Sequence, residues 1–343
     1  MSPRGSGGDG TVPPGAPGMQ LRRTPLLFLF LDGVGIGSDD PSRNPFLRAQ
    51  LPVLSGLLGG RLPTLSHPAP ASSRARVIPL DARLGVEGLP RSGTGHVALL
   101  TGADAPRLFG RHFGPWVPSS LRELVEEESL LRKARDRGDR VAFANAYPRR
   151  FLDAPLRRWA GPPLAARGAG LLDRHEEALV AGEAVASEMV NTGWRERLGL
   201  RSAPDLGPGE AGGVLARIAE AHDLTLFAHY DTDLVGHRGG MSGAVAALER
   251  VDAFLGGILA AVAGDALLVV ASDHGNLEEV DGGHTLNPAL GLIARIGGGG
   301  APLPDTTGIS SIRHIAGAVL KWSAPPGATL VPPLHGEPPK EAS

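Results

Sequence analysis

The chain has 343 residues, of which 42% are hydrophobic and 20% are charged, so it can bury a sizeable core in one large domain or two smaller ones. Its 34 basic and 36 acidic residues give a formal net charge of -2, and no basic stripe indicates a nucleic-acid partner. The chain has no cysteine, which excludes disulfides, thiolate metal sites and cysteine nucleophiles. Any bound metal must therefore be held by histidine, carboxylate or hydroxyl groups.

Both ends of the chain offer little to bury. Residues 1–24 and 324–343 are rich in glycine, proline and polar residues, which predicts flexible, disordered tails. The apolar run at 26–31 is far shorter than the roughly 20 residues that cross a bilayer, and no cleavable signal follows it. We therefore expect a cytoplasmic protein without a membrane segment.

Three short apolar runs each lead into an acidic residue. LLFLFL precedes Asp32, LTLFAHY precedes Asp231 and Asp233, and LLVVAS precedes Asp273. Uninterrupted apolar runs of this length are typical of strands buried on both faces of a parallel sheet, and the pattern at 241–262 predicts a helix between two of them. Because ligands gather beyond the carboxyl ends of such strands, we expect these acids to converge on one site.

The middle of the chain is richer in charged helical patterns. The segment 120–123 (SLRE) has the spacing of a capping box, which predicts a helix that ends near Gly138. Residues 174–190 predict a second helix, and a strand-like run at 141–147 lies between the two.

These patterns predict an α/β protein with two parts. The core has a mostly parallel sheet flanked by helices and is formed by residues 25–104 and 205–323. Residues 105–204 are interpreted as a smaller α+β cap domain inserted into that core.

Four segments hold most of the residues that could carry chemistry. They are LDGVGIG (31–37), RSGTGHVALLTG (91–102), DTDLVGH (231–237) and SDHGNLEEVDGGHTLNP (272–288). Three aspartates and three histidines in these segments could form two neighbouring sites of the kind that Zn²⁺ or Mn²⁺ accepts. These residues are Asp32, Asp233, His237, Asp273, His274 and His284.

Ser92 and Thr94 are the candidate nucleophiles beside such a pair of sites. Two divalent ions about 3.5–4 Å apart can clamp the attacking and leaving oxygens of a displacement at phosphorus. A hydroxyl bound to one ion loses its proton more easily. Gly93 and Gly95 would let the backbone approach a phosphate, and the next residues could begin a helix whose amino terminus favours an anion.

The four segments resemble the alkaline-phosphatase-like metalloenzyme superfamily, in particular the branch of cofactor-independent phosphoglycerate mutase and phosphopentomutase. The similarity is carried by LFLDGVGIG, DLVGH and DHGN followed by HTLNP, and it extends over about residues 26–104 and 205–322. The resemblance implies a phosphatase or phosphomutase that uses two divalent ions, Mn²⁺ or Zn²⁺. The substrate would be a small phosphorylated metabolite, and the reaction would pass through a phosphoserine.

The resemblance also implies a role for each ligand. One metal would be held by Asp233, His237 and His284, and the other by Asp32, Asp273, His274 and the nucleophile. The family's nucleophile lies three residues before the glycine of a Gly-His pair, here Gly95-His96, which gives Ser92 with Thr94 as the alternative. The family spacing also favours Asp233 over Asp231.

Other polar residues have weaker support in the sequence. Asn44 and the pair Arg149 and Arg150 are candidates for binding the substrate, although a loop cap and an exposed surface are the alternative interpretations. His96 is interpreted as a residue that orients the nucleophile loop, and Glu278 and Glu279 as loop surface.

The chain departs from the family in its specificity elements. It lacks the larger inserted domain and Gly-Val-His-Ser-His loop of the phosphoglycerate mutases, and the arginine-containing cap motif of phosphopentomutase is not visible. Two alternatives therefore remain open. One is a phosphodiesterase, or another hydrolase of phosphate, sulfate or phosphonate esters, on the same core. The other is a non-catalytic metal-binding protein.

Overall fold

The computed structural model describes residues 23–280 and 282–325. The predicted tails lie outside these ranges, apart from two residues at the inner end of each. Within them the chain forms one six-stranded sheet with helices on both faces. The strands are β1 (Leu26–Leu31), β2 (Ala75–Leu80), β3 (Val141–Phe143), β4 (Leu224–His229), β5 (Ala266–Ala271) and β6 (Ala289–Ile296).

The strand order in the sheet is β2-β6-β5-β1-β4-β3. β1 pairs in parallel with β4 and β5, and β3 pairs in parallel with β4. β6 is antiparallel to both β5 and β2. The predicted α/β core with a mostly parallel sheet is confirmed.

The central strands are apolar throughout because both of their faces are covered. Leu27 and Leu29 of β1 pack with residues of the helices that precede β4 and β5, whereas Phe28 and Phe30 pack in a second hydrophobic cluster on the opposite face. All six residues of β1, β4 and β5 are buried. This double burial explains the uninterrupted runs in the sequence.

Eleven α-helices lie within the described ranges, together with short 3₁₀ segments and one π-helical turn. The α-helices are α1 (Pro52–Leu57), α2 (Ser92–Thr101), α3 (Ala105–Phe109), α4 (Arg122–Glu128), α5 (Leu130–Asp136), α6 (Gly161–Gly168), α7 (Glu176–Ala181), α8 (Pro208–Glu220), α9 (Asp231–Arg238), α10 (Gly240–Ala261) and α11 (Arg313–Ser323). No helix in this part of the chain has the length and apolarity needed to cross a membrane.

The structure corrects two helix predictions. The helix expected from 120 to Gly138 is divided into α4 and α5, because Ser129 is extended with ψ of 152° and caps α5 with its own side chain. The expected capping box is absent, and a 3₁₀ turn occupies Ser119–Leu121. Of the helix expected at 174–190, only α7 forms. It ends because the backbone of the next residue, Gly182, adopts a left-handed conformation.

The strand expected inside the cap is instead part of the main sheet. β3 lies at the sheet edge beside β4, and α4, α5 and α6 contribute to the same hydrophobic cluster as Phe28 and Phe30. A small separate cluster is formed around Leu179 and Trp194. Much of the segment 105–170 is therefore continuous with the core, while the predicted boundaries of a cap at 105 and 204 stay a prediction.

Candidate metal centre

Sheet register brings the ends of three strands to one edge. Leu31, the last residue of β1, is level with His229 of β4, and Phe30 is level with Ala271 of β5. The residues that follow these strands therefore emerge side by side. They are Asp32 after β1, the first turn of α9 after β4, and Asp273 with His274 after β5.

The first group of candidate ligands surrounds the imidazole of His274. Its Nε2 lies 3.0 Å from Ser92 Oγ, 3.5 Å from Asp32 Oδ1 and 3.4 Å from Asp273 Oδ2. Asp32 Oδ1 and Asp273 Oδ2 are buried and accept no hydrogen bond from the described residues. Because a buried carboxylate oxygen is costly without a donor, this set of oxygen and nitrogen atoms fits a divalent cation.

The second group consists of Asp233, His237 and His284. Asp233 Oδ2 lies 3.5 Å from His237 Nε2, and Asp233 Oδ1 lies 3.5 Å from His284 Nε2. The two Nε2 atoms are 3.2 Å apart. His284 Nδ1 lies 2.6 Å from the carbonyl oxygen of Pro90 and therefore carries the ring proton. Its Nε2 is directed towards Asp233 and His237 and offers a lone pair to a metal once it has lost its proton.

The two groups adjoin through stacked histidines. The rings of His274 and His284 are 4.0 Å apart between centroids, with 25° between their planes. The nearest ligand atoms of Asp233, His274 and His284 all lie within 4.8 Å of one another. The structure thus brings together all six metal-ligand residues predicted from the sequence, with Ser92 beside them.

Burial and charge set the protonation of these groups. Burial, with the nearby charges of Asp32 and Asp233, raises the pKa of Asp273 well above its ordinary value. Burial and the charge of His284 lower the pKa of His274 to about 4. Burial acts to raise the pKa of Asp233, but His284, His274 and Asn276 hold it below its ordinary value. His274 is therefore neutral near pH 7, as a ligand must be.

His96 lies close to two candidate ligands, Asp32 and Asp273, a contact that the sequence did not predict. It lies one turn after Ser92 on α2, and its Nε2 is 3.3 Å from Asp32 Oδ2 and 3.5 Å from Asp273 Oδ2. The backbone N–H of Gly161 donates to His96 Nδ1 at 3.2 Å. Nδ1 is thus an acceptor and the proton is on Nε2, so His96 faces Asp32 Oδ2 as a donor and not as a ligand, with Asp273 Oδ2 close by.

Thr94 is held away from a nucleophile's position by the loop that packs on α2. Its backbone N–H donates to the carbonyl oxygen of Phe113 at 2.9 Å, and its hydroxyl accepts from the N–H of Phe113 at 3.2 Å. The Ser92 hydroxyl, by contrast, lies within hydrogen-bond distance of the His274 imidazole. The geometry therefore favours Ser92 over Thr94.

The glycines of this loop are needed for contacts within the protein. A Cβ at Gly93 would lie 2.1 Å from the carbonyl oxygen of Trp116, and one at Gly95 would lie 3.0 Å from Asp273 Oδ2. We expected both glycines to let the backbone approach a phosphate. In the structure, each glycine also lets another part of the chain approach closely, Trp116 at Gly93 and Asp273 at Gly95.

The three predicted substrate residues are engaged elsewhere. Asn44 accepts from the N–H of Phe46 at 3.0 Å and donates to the carbonyl oxygen of Ser38 at 2.7 Å, so it caps a loop. Arg149 pairs with Glu177 at 2.9 Å in an exposed 3₁₀ segment that also contains Arg150. No contact within the described ranges joins Arg149 or Arg150 to the candidate ligands, and the substrate roles of all three residues stay predictions.

Two residues that support the site were missed. Asn276 donates from Nδ2 to Asp233 Oδ1 at 2.7 Å. Glu278, which was interpreted as loop surface, is fully buried. Asp231 pairs with Arg250 at 3.2 Å, which leaves Asp233 as the aspartate of α9 in the metal centre. The sequence carries no signal that separates Glu278 from the adjacent Glu279.

Comparison with known proteins supports the class of site. Residues 210–298 match the model of the Metalloenzyme superfamily, and this segment contains Asp233, His237, Asp273, His274 and His284. The match confirms the resemblance to the metalloenzyme superfamily that was predicted from the motifs.

Curated relatives and solved structures extend the comparison. The chain is 40% identical over 127 residues to the 2,3-bisphosphoglycerate-independent phosphoglycerate mutase of Rhodopseudomonas palustris, a match that covers 35% of this chain and 24% of the relative. It is 43% identical over 116 residues to the mutase of the same name from Roseobacter denitrificans, covering 31% and 22%. These matches span about a quarter of each relative's length. The structure of the PH0037 protein from Pyrococcus horikoshii has a TM-score of 0.51 at 13% identity, covering 90% of this chain and 100% of that chain, which shows a shared fold.

Proposed function

We propose that this protein is a metal-dependent phosphoryl-transfer enzyme, a phosphatase or phosphomutase, that acts on a small phosphorylated metabolite through a phosphoserine at Ser92. One observation carries the proposal. The Ser92 hydroxyl lies 3.0 Å from His274 Nε2, beside buried carboxylate oxygens of Asp32 and Asp273 that have no donor among the described residues. A hydroxyl in such surroundings is suited to nucleophilic attack.

The residues that would hold two divalent ions, Mn²⁺ or Zn²⁺, fall into two sets. One set is Asp233, His237 and His284, and the other is Asp32, Ser92, Asp273 and His274. When bound, such ions neutralise charge on a phosphoryl group and favour the deprotonated serine hydroxyl. His96 would stay outside the ligand set, since its Nε2–H is directed at the two carboxylates.

A serine nucleophile divides the transfer into two displacement steps. In the first, Ser92 Oγ gives up its proton to solvent and bonds to phosphorus while the ester P–O bond breaks and the leaving oxygen takes a proton from solvent. In the second, water or another hydroxyl of the substrate gives up a proton as its oxygen bonds to phosphorus, and the serine oxygen leaves and takes up a proton. Because α2 begins at Ser92, the positive end of its dipole lies where the phosphoryl group is transferred.

We further propose that residues 105–204 act as a cap that retains the rest of the substrate. Two contacts support a link between this segment and the site. Gly161 donates to His96, and the hydroxyls of Tyr147 and Tyr230 are 3.1 Å apart. Since Tyr230 directly precedes α9, this segment reaches two of the elements that carry the candidate ligands.

A substrate panel tests the function. The purified protein with Mn²⁺ or Zn²⁺ is assayed on phosphomonoesters, phosphodiesters, sulfate esters and phosphonates, and each reaction is scored for the released anion and for isomerised sugar phosphate. Turnover of phosphomonoesters that is lost in Asp273→Ala supports the proposal. The exposed Glu87→Gln, outside the proposed cap and the ligand loops, serves as the control variant. Turnover of another ester class alone would favour the alternative hydrolase, and no turnover of any member would favour a non-catalytic metal-binding protein.

The covalent step has a separate test. Protein quenched during turnover and analysed by mass spectrometry should carry phosphate on Ser92. Phosphate on Thr94 would show that the nucleophile assignment is wrong.

A further inference from the structure

Glu278 is a buried carboxylate that accepts four hydrogen bonds. Its Oε2 accepts from the backbone N–H groups of Gly35 and Asn276, both at 2.8 Å. Its Oε1 accepts from Thr285 Oγ1 at 2.5 Å and from Asn287 Nδ2 at 3.1 Å. All four donors are neutral groups, so the charge is stabilised by converging dipoles.

Three of these four donors, Gly35, Asn276 and Thr285, belong to loops that carry candidate ligands. Gly35 lies in the loop that follows Asp32, and Thr285 directly follows His284. Asn276 also donates its side chain to Asp233 at 2.7 Å. The Glu278 carboxylate therefore contacts loops that carry ligands of both metal-ligand groups.

Steric constraints show how closely these loops surround the carboxylate. A Cβ at Gly35 would lie 2.5 Å from Glu278 Oε1, and one at Gly275 would lie 2.4 Å from the same oxygen. The loops can approach each other only because these two positions have no side chain. A small displacement of the carboxylate must therefore move the loops on both sides of it.

The donors around Glu278 are matched to a carboxylate. An ionised carboxylate only accepts, and here it receives two donors on each oxygen. Glutamine has nearly the same shape, but its amide nitrogen would face two of those donors. If the nitrogen faced Gly35 and Asn276, their backbone N–H groups would lose their acceptor, and if it faced Thr285 and Asn287, both side chains would have to turn an acceptor towards it.

We infer that Glu278 is a positioning residue that couples the two metal sites by holding the loops after β1 and β5 together with the His284 loop. It does not contact the candidate ligand atoms and acts through Gly35, Asn276 and Thr285. The inference rests on the proposed metal-dependent function. It predicts that a change at this one residue weakens both sites in parallel.

The experiment compares the metal-free wild-type protein with Glu278→Gln and with the matched control Glu279→Gln. Glu279 is the adjacent acid and forms an ion pair with exposed Arg43. Isothermal titration with Mn²⁺ gives the number of sites and their affinities, and thermal unfolding and near-ultraviolet circular dichroism establish that each variant is folded at the temperature of titration.

We expect two Mn²⁺ sites in the wild type, and a fall in affinity of about 10-fold or more at both sites in Glu278→Gln. Glu279→Gln should match the wild type. Wild-type affinity in Glu278→Gln, or weakening of one site alone, would overturn the inference while the proposed function stands. A wild-type protein that binds no Mn²⁺ or Zn²⁺ would overturn the proposed function itself.

A second variant keeps the test informative if Glu278→Gln does not fold. Thr285→Val removes one donor to Glu278 and leaves every candidate ligand in place. Parallel weakening of both sites is expected. Weakening confined to the site that contains His284 would indicate a local effect and contradict the coupling.

Discussion

The backbone N–H of Gly161 donates a hydrogen bond to Nδ1 of His96 at 3.2 Å. The contact places the proton of His96 on Nε2, which faces Asp32 and Asp273. A Cβ at Gly161 would lie 2.5 Å from Cβ of His96, so the approach requires glycine. A residue distant in sequence thus determines which nitrogen of His96 donates to Asp32.

Two substitutions at His96 should separate its two hydrogen bonds. His96→Asn can still accept from Gly161 but loses the donor to Asp32, and we expect about 10- to 100-fold weaker Mn²⁺ binding. His96→Gln can place a donor near the position of Nε2 and should recover part of the affinity. Isothermal titration of the metal-free proteins measures the difference. Equal affinities in the two variants would show that the donor on Nε2 has no role.

Removal of the Ser92 hydroxyl should affect catalysis, whereas removal of the Thr94 hydroxyl should affect stability. Ser92→Ala should lower kcat by about 10³-fold or more, because it removes the hydroxyl that lies beside the His274 imidazole. Thr94→Val should instead lower the free energy of unfolding by about 1–3 kcal/mol, since the N–H of Phe113 loses its acceptor. Steady-state kinetics and urea denaturation distinguish the two effects. Loss of activity in Thr94→Val without loss of stability would contradict the assignment.

The stabilisation that metal provides should increase with pH. Asp273 has a raised pKa in the folded protein, so its contribution to stability is present at low pH and is lost as pH rises through that raised pKa. Metal binding needs the ionised form and releases the proton. His274, with a pKa of about 4, stays neutral over most of this range.

Thermal unfolding with and without Mn²⁺ between about pH 5 and about pH 8 tests this expectation. The increase in Tm on adding metal should grow as pH rises. Asp273→Asn should remove both the increase and its pH dependence. An increase in Tm that is the same at every pH would show that Asp273 does not titrate on metal binding.

Two glycine-to-alanine substitutions should have opposite effects on stability. Gly93→Ala places a Cβ 2.1 Å from the carbonyl oxygen of Trp116, and we expect it to destabilise the protein by about 1–3 kcal/mol or more. Gly56→Ala lies in α1 with no atom within 4 Å of the new Cβ, and should stabilise by about 0.5–1 kcal/mol. Chemical denaturation measures both. Tolerance of Gly93→Ala would mean that the loop at Trp116 can move.

The sequence alone determined the three central strands and the acids that follow them. Strands that are buried on both faces must be apolar throughout, so β1, β4 and β5 were visible as uninterrupted runs. Parallel pairing brings their carboxyl ends to one edge, so acids placed after each run had to meet. These are local patterns whose consequence follows from the geometry of any such sheet.

Only the tertiary structure decided the protonation and support of the site. The tautomer of His96 depends on Gly161, and the exclusion of Thr94 depends on Phe113. The burial of Glu278 beside the more accessible Glu279 depends on Gly35, Thr285 and Asn287. A hydrogen-bond partner supplied by a distant segment leaves no periodic trace in the sequence, because it is set by how the loops pack and not by the residues that flank it.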